Sequence, residues 1–117
     1  MKNHAEFPLP LFSSRMKAAR ERLGISQTEL GVRAGIDEFC ASARINQYER
    51  GKHAPDFLTV RNLAKVLGVP TAYFYAEDDN LAELIVLFGN LKAVERKSLL
   101  ASAHSLAANI GHIRRKP

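Results

Sequence analysis

The chain has 117 residues, a formal net charge of +5 and a pI near 9.7, so it holds one domain, or one small domain with an appended element, and its charge favours a polyanionic partner. The single cysteine, Cys40, excludes an intramolecular disulfide and points to the reduced cytoplasm. No apolar run approaches the roughly 20 residues that a membrane helix needs, and Met1-Lys2-Asn3-His4-Ala5-Glu6 lacks the apolar core of a secretory signal.

A soluble, cytoplasmic protein without a membrane partner is therefore expected. The charge is uneven. Residues 1–68 carry eleven Lys and Arg against seven Asp and Glu, and residues 69–117 carry six against five. The excess lies in the first half, as attraction to phosphate would require.

Residues 1–12 contain Pro8 and Pro10 and are expected to form an extended N-terminal arm. Ser13 or Ser14 suits a helix N-cap, and the helix to Leu23 has Met16, Ala19 and Leu23 on one face, with Arg15, Lys17 and Arg22 largely outside. Gly24 stops it. Ser26 caps a second helix and Glu29, three residues on, completes a capping box. Leu30 and Ala34 point inward, and Gly35 ends that helix. Asp37 suits a cap, but Phe39, Cys40 and Ala41 show no clear period. From Ser42 the pattern is cleaner, with Ile45 and Tyr48 spaced i, i+3 towards the core.

Gly51-Lys52-His53-Ala54-Pro55 reads as a loop. Asp56 opens a fourth helix with Leu58, Val60, Leu63, Ala64 and Leu67, before Gly68. Pro70 starts a short fifth helix containing Tyr73 and Phe74. Glu77-Asp78-Asp79 marks a composition change, after which Leu81, Leu84, Ile85, Phe88 and Leu91 form an apolar stripe at helical spacing. A last helix, Val94 to Ile113, carries Leu99, Leu100, Ala103, Leu106, Ala107 and Ile110. Strand-like alternation is lacking, so the chain is all-α.

Two of these helices carry chemistry. A helix N-terminus bears unpaired N–H groups and about half a positive charge, which suits a phosphate. Ser26 and Gln27 place a hydroxyl and a flexible amide at such an end. With Ile45 and Tyr48 inward, Ser42, Ala43, Arg44, Asn46 and Gln47 lie on or beside the outer face of the next helix. Asn and Gln match adenine's N6/N7 edge, Arg matches guanine's O6/N7 edge, and Ala meets the thymine methyl. Such a pair in a small basic protein fits a reader of the DNA major groove.

The order of motifs is specific. Ser14 to Leu30, then Ala34-Gly35, Ile45, Tyr48-Glu49-Arg50-Gly51-Lys52, Pro55 and Leu63-Ala64-Lys65-Val66-Leu67-Gly68-Val69 closely resemble the Cro/repressor, or xenobiotic-response-element, helix-turn-helix family. The resemblance covers residue 14 to about residue 75. It implies a five-helix, lambda-repressor-like domain over residues 13–76 that binds double-stranded operator DNA as a dimer, with its third helix in the major groove. By position, Gln27 resembles the phosphate anchor of the second helix. Ser42, Ala43, Asn46 and Gln47 resemble base-facing residues, with Arg44 a further candidate. Arg50 and Lys52 resemble the loop residues on the sugar-phosphate backbone. Arg20 and Glu49 occupy the places of a partly buried ion pair.

One departure stands out. The family's turn glycine lies about six residues before the residue matching Ile45; here Gly35 to Ile45 is ten. Asp37-Glu38-Phe39-Cys40 is the apparent surplus, which either lengthens the turn or extends the start of the reading helix. Cys40 is expected as a small, semi-buried residue, since a reactive thiol needs exposure and a lowered pKa.

His4, His53, His104 and His112 show no metal-ligand spacing, and no catalytic constellation or cofactor motif is visible, so an enzyme is not expected. The remaining residues, 77–117, form one or two additional helices that either dimerise or pack within the chain. Two-fold operators favour dimerisation through Leu81, Leu84, Ile85, Phe88 and Leu91. The competing reading is an antitoxin-like module whose apolar helices cover another protein.

Overall fold

A computed structural model describes the backbone of residues 8–114 and the side chains of residues 8–110. The first seven residues of the expected arm, with His4, lie outside the described residues. So do the side chains of His112, Ile113 and the basic end Arg114-Arg115-Lys116.

Six α-helices and one 3-10 helix make up the described chain: α1 Leu9–Leu23, α2 Gln27–Arg33, α3 Glu38–Glu49, α4 Phe57–Leu67, the 3-10 helix Thr71–Tyr75, α5 Asp79–Gly89 and α6 Ala93–Arg114. All-α architecture is therefore as expected. The chain separates into two compact units, with the division after Val86, inside α5 rather than at the acidic run before it.

Helix α1 begins earlier than its serines suggest. Pro8 is the residue before the helix and Pro10 occupies its first turn, where a missing N–H is no loss because that group has no intrahelical partner. Residues 9–12 are thus helical, not an extended arm. The gain is Phe12, fully buried with its ring 5.0 Å from that of Phe74. Ser13 is not a cap: it is buried, and its hydroxyl donates to the Tyr48 carbonyl. Leu23 is exposed, whereas Met16 and Ala19 are buried. Gly24 ends the helix at φ 77°, a left-handed conformation that lets its N–H reach the carbonyls of Arg20 and Glu21.

The core of the first unit joins Met16 and Ala19 to Leu30 and Ala34 of α2 and to Ile45 and Tyr48 of α3. Val60, Leu63, Ala64 and Leu67 of α4 complete it with Tyr73 and Phe74. Leu58, expected inward, is exposed. The α4 cap is as read, with Asp56 accepting from the Thr59 N–H at 2.8 Å.

Arg15, expected outside, is folded against the unit. Its guanidinium donates to the Ala76 carbonyl at 2.6 and 3.1 Å and pairs with Asp79 at 3.1 Å. These bonds tie α1 to the start of α5. Ala82, missed in the sequence, is the buried residue of α5, with Ile85 and Val86 packed partly against the same core.

In the second unit, α6 is preceded by a tight turn in which the Glu95 carboxylate accepts from the Lys92 N–H at 2.8 Å. Arg96 returns to the end of α5, donating to the carbonyls of Phe88 and Gly89 at 3.0 Å and lying over the Phe88 ring. Side chains of α6 from Ala101 to Ile110 are all exposed in the single chain.

Candidate nucleic-acid interface

The joint between α2 and α3 comprises residues 34–37, closed by Gly35 N–H to the Val32 carbonyl at 3.0 Å and Ile36 N–H to the Gly31 carbonyl at 2.9 Å. It is short. The surplus residues have gone into the helix: α3 runs twelve residues from Glu38, with the Asp37 carboxylate accepting from the Phe39 N–H at 3.0 Å. Of the two fates open to the insertion, the structure shows helix extension. Asp37 is spent as a cap.

That extension needs room beside α2, and Gly31 supplies it. A Cβ at residue 31 would lie 2.7 Å from the Cβ of Ala41, inside contact distance. Both residues are buried, so the first turn of α3 packs closely on α2 at a place where a side chain at residue 31 would not fit.

Burial fixes the faces of α3. Ala41, Ile45 and Tyr48, spaced i, i+4, i+7, point into the protein. At about 100° per residue, Phe39, Ala43, Asn46 and Arg50 form the opposite row, with Ser42 and Gln47 on its two flanks. Ser42, Ala43 and Arg44 are exposed; Asn46 and Gln47 are partly so. Four of the five expected base-facing residues therefore share this outward region. Arg44 is exposed but well round the helix from the Phe39–Arg50 row, on the flank away from Asn46. Cys40 is exposed, not semi-buried.

Beneath this row sits the ion pair. Arg20 Nε meets Glu49 Oε2 at 2.6 Å and a second nitrogen meets Oε1 at 3.1 Å, a bidentate pair, while a third bond reaches the Ile25 carbonyl at 3.0 Å. The side chains are 14% and 4% exposed. The hydrogen bond to Glu49 raises the Arg20 pKa, outweighing burial, which would lower it.

Gln27 departs from the expected outward pose. Its amide nitrogen donates to Glu49 Oε1 at 3.0 Å and to Asn46 Oδ1 at 3.3 Å. In the unbound protein it is a strut between α2 and α3, and both donor hydrogens are used. Ser26 caps as read, its hydroxyl accepting from the Glu29 N–H at 3.0 Å, so its own proton stays available to an anion. The second half of the capping box is missing, because the Glu29 carboxylate pairs with Arg33 instead. Arg50, Lys52 and His53 follow α3 and are all exposed. Among the described residues no cluster of three or more His, Cys, Asp or Glu could hold a metal ion, and no helix is long and apolar enough to cross a membrane.

A short helix, a four-residue joint and a longer helix with a polar outward row, all seated on one core, define the helix-turn-helix class. The profile of the helix-turn-helix family matches residues 16–74, half of the chain. The protein belongs to that family. The crystal structure of the transcriptional regulator BswR superposes with a TM-score of 0.77 at 48% identity, over 83% of this chain and 96% of that one. Two curated relatives, described as uncharacterized HTH-type transcriptional regulators of Sinorhizobium medicae and Rhizobium meliloti, are each 31% identical over 64 residues. The match takes in 55% of this chain and only 43% of each relative, so the chain spans less than half of their length.

Proposed function

We propose that the protein is a sequence-specific DNA-binding regulator that acts as a homodimer in the cytoplasm, without catalysis, and represses by occluding its operator. The observation that carries the DNA-reading part is the outward region of α3, where Ser42, Asn46, Gln47 and Arg50 present hydrogen-bonding groups and no acidic side chain is exposed from Ala43 to Arg50. Its membership of the helix-turn-helix family and its likeness to the transcriptional regulator BswR support the DNA-binding regulator part of this reading.

In this account α3 lies in the major groove with Ser42, Ala43, Asn46 and Gln47 towards base edges. Ser26, Arg50 and Lys52 meet phosphate. Gln27 joins them by exchanging its longer bond, to Asn46, for a phosphate oxygen. That exchange also releases the Asn46 carbonyl oxygen, so the amide can accept from and donate to one adenine.

The dimer reading rests on unburied apolar surface. Leu81, Leu84, Leu87 and Phe88 of α5 are exposed, as are Val94, Leu100, Leu106 and Ile110 of α6. Ile85, placed in the expected interface, packs partly against the core of its own chain instead; Leu91 is partly buried. Within α6, Leu99, Ala103, Leu106 and Ile110 recur at alternating spacings of four and three, the seam of a two-helix contact. The competing module reading assigns the same surface to a different protein, and a chain that is monomeric in solution would favour it.

Selection of bound sites from a random duplex library tests the proposal. A two-fold motif with half-site centres one helical turn apart is the expected result. Recovery of unrelated sequences would overturn it.

A further inference from the structure

Phe39 is 95% exposed. A singly exposed phenylalanine is ordinary in itself; this one is set apart by its place on the row proposed to face base edges. It stands on the first turn of α3, four residues before Ala43 and seven before Asn46, on the same row. It comes with the insertion, so nothing about it is carried over from the family pattern. Ala41, which closes the same first turn of α3, is fully buried and seats against Gly31. The added turn is thus anchored on its inner side and presents an aromatic ring on its outer side.

Neither carboxylate of this turn belongs to a residue on that row. Asp37 is held against the Phe39 N–H, and Glu38 lies about 100° round the helix. Four residues of helix advance the row by about 6 Å, close to two nucleotides at about 3.4 Å each along one strand. Adding a turn therefore lengthens the stretch of base pairs under the row.

Resting on the reading of α3 as a groove helix, we propose that Phe39 is a specificity-determining residue that packs on the C5-methyl group of a thymine at the end of each half-site. Phenylalanine offers no hydrogen bond, so it cannot use the donor and acceptor code of the groove. The thymine methyl is the apolar feature of the major groove that a ring can recognise. Desolvating ring and methyl together favours thymine over any base that lacks the methyl.

The test uses the full chain and a selected operator duplex in which each thymine is replaced in turn by deoxyuridine, which deletes only the methyl. With the uridine placed at the same position of both half-sites, binding of the parent protein is expected to fall about tenfold at one position, roughly fourfold for each buried methyl. Phe39→Ala is expected to lose about tenfold on the intact operator and to be indifferent to uridine at that position, while Phe39→Leu keeps part of the preference. Because residue 39 is solvated, the Tm of both variants should match the parent, which shows that folding is intact. A Phe39→Ala protein with the parent's uridine profile at every position would overturn the assignment and leave the groove reading standing. A parent protein with no preference among duplexes would sink both.

Discussion

At the scale of single residues, the Arg20–Glu49 pair governs how α1 and α3 meet. Arg20 makes three bonds in a planar fork, and Glu49 receives a further one from Gln27. Removing the guanidinium leaves a carboxylate that is 4% exposed without its counter-charge. Arg20→Ala should therefore cost about 3–5 kcal/mol, measured by urea unfolding, and Arg20→Lys should recover only part because an ammonium cannot reproduce the fork.

Asp56 gives a pH dependence. The Thr59 backbone N–H lowers its pKa below the ordinary carboxylate value. A depressed folded pKa means that the cap's contribution is present above the unfolded value of about 3.9 and is lost as pH falls through the folded value. Asp56→Asn keeps a good cap and should flatten Tm against pH between about 5 and 2; an unchanged slope would exclude Asp56 as a source of acid sensitivity.

At the scale of elements, what periodicity encodes was legible and what packing decides was not. Ile45 and Tyr48, Val60 and Leu63, and the caps Ser26 and Asp56 follow from spacing and chemistry, and all are found as read. The start of α1 was hidden because Pro8 and Pro10 suggest extended chain, although proline suits a first turn. Leu58 and Leu23 lie at helix ends, where the core no longer reaches. Phe39 was recoverable in principle: continuing the inward spacing of Ile45 and Tyr48 backwards puts Ala41 inside and Phe39 outside. No single-helix pattern could show Gly31 against Ala41, or Gln27 bonded to Asn46, because both are contacts between helices.

Gly31 yields the sharpest test at this scale. Glycine to alanine in an exposed helix interior usually gains about 1 kcal/mol. Here the new methyl meets Ala41 at 2.7 Å, so Gly31→Ala should destabilise by about 1–3 kcal/mol. Adding Ala41→Gly should restore only a small part of the loss, because the Ala41 Cα and carbonyl oxygen also lie 3.0 and 3.1 Å from the new methyl and glycine itself costs about 1 kcal/mol in a helix. Stabilisation by the single substitution would contradict the close packing of α2 and α3.

At the scale of the whole molecule, the composition and motif order pointed to one helix-turn-helix domain with added helices, and the fold agrees. The face of the C-terminal stripe was less legible, since Ala82 with Ile85 seals the core while Leu81, Leu84 and Phe88 stay exposed. If the exposed seam of α6 joins two copies, Leu106→Glu should yield a folded monomer by sedimentation and weaken operator binding by on the order of 10²–10⁴, the gain that linking two sites provides. Retention of the dimer would place the contact elsewhere. The central claim, that α3 reads bases through its outward row, is tested most directly by titrating an operator and an unrelated duplex with the parent protein, Gln47→Ala and Lys52→Ala at several salt concentrations. Gln47→Ala should lose about tenfold or more on the operator and little on the unrelated duplex, whereas Lys52→Ala should weaken both and reduce the salt slope by about 1. Equal losses on the two duplexes for Gln47→Ala would contradict the account.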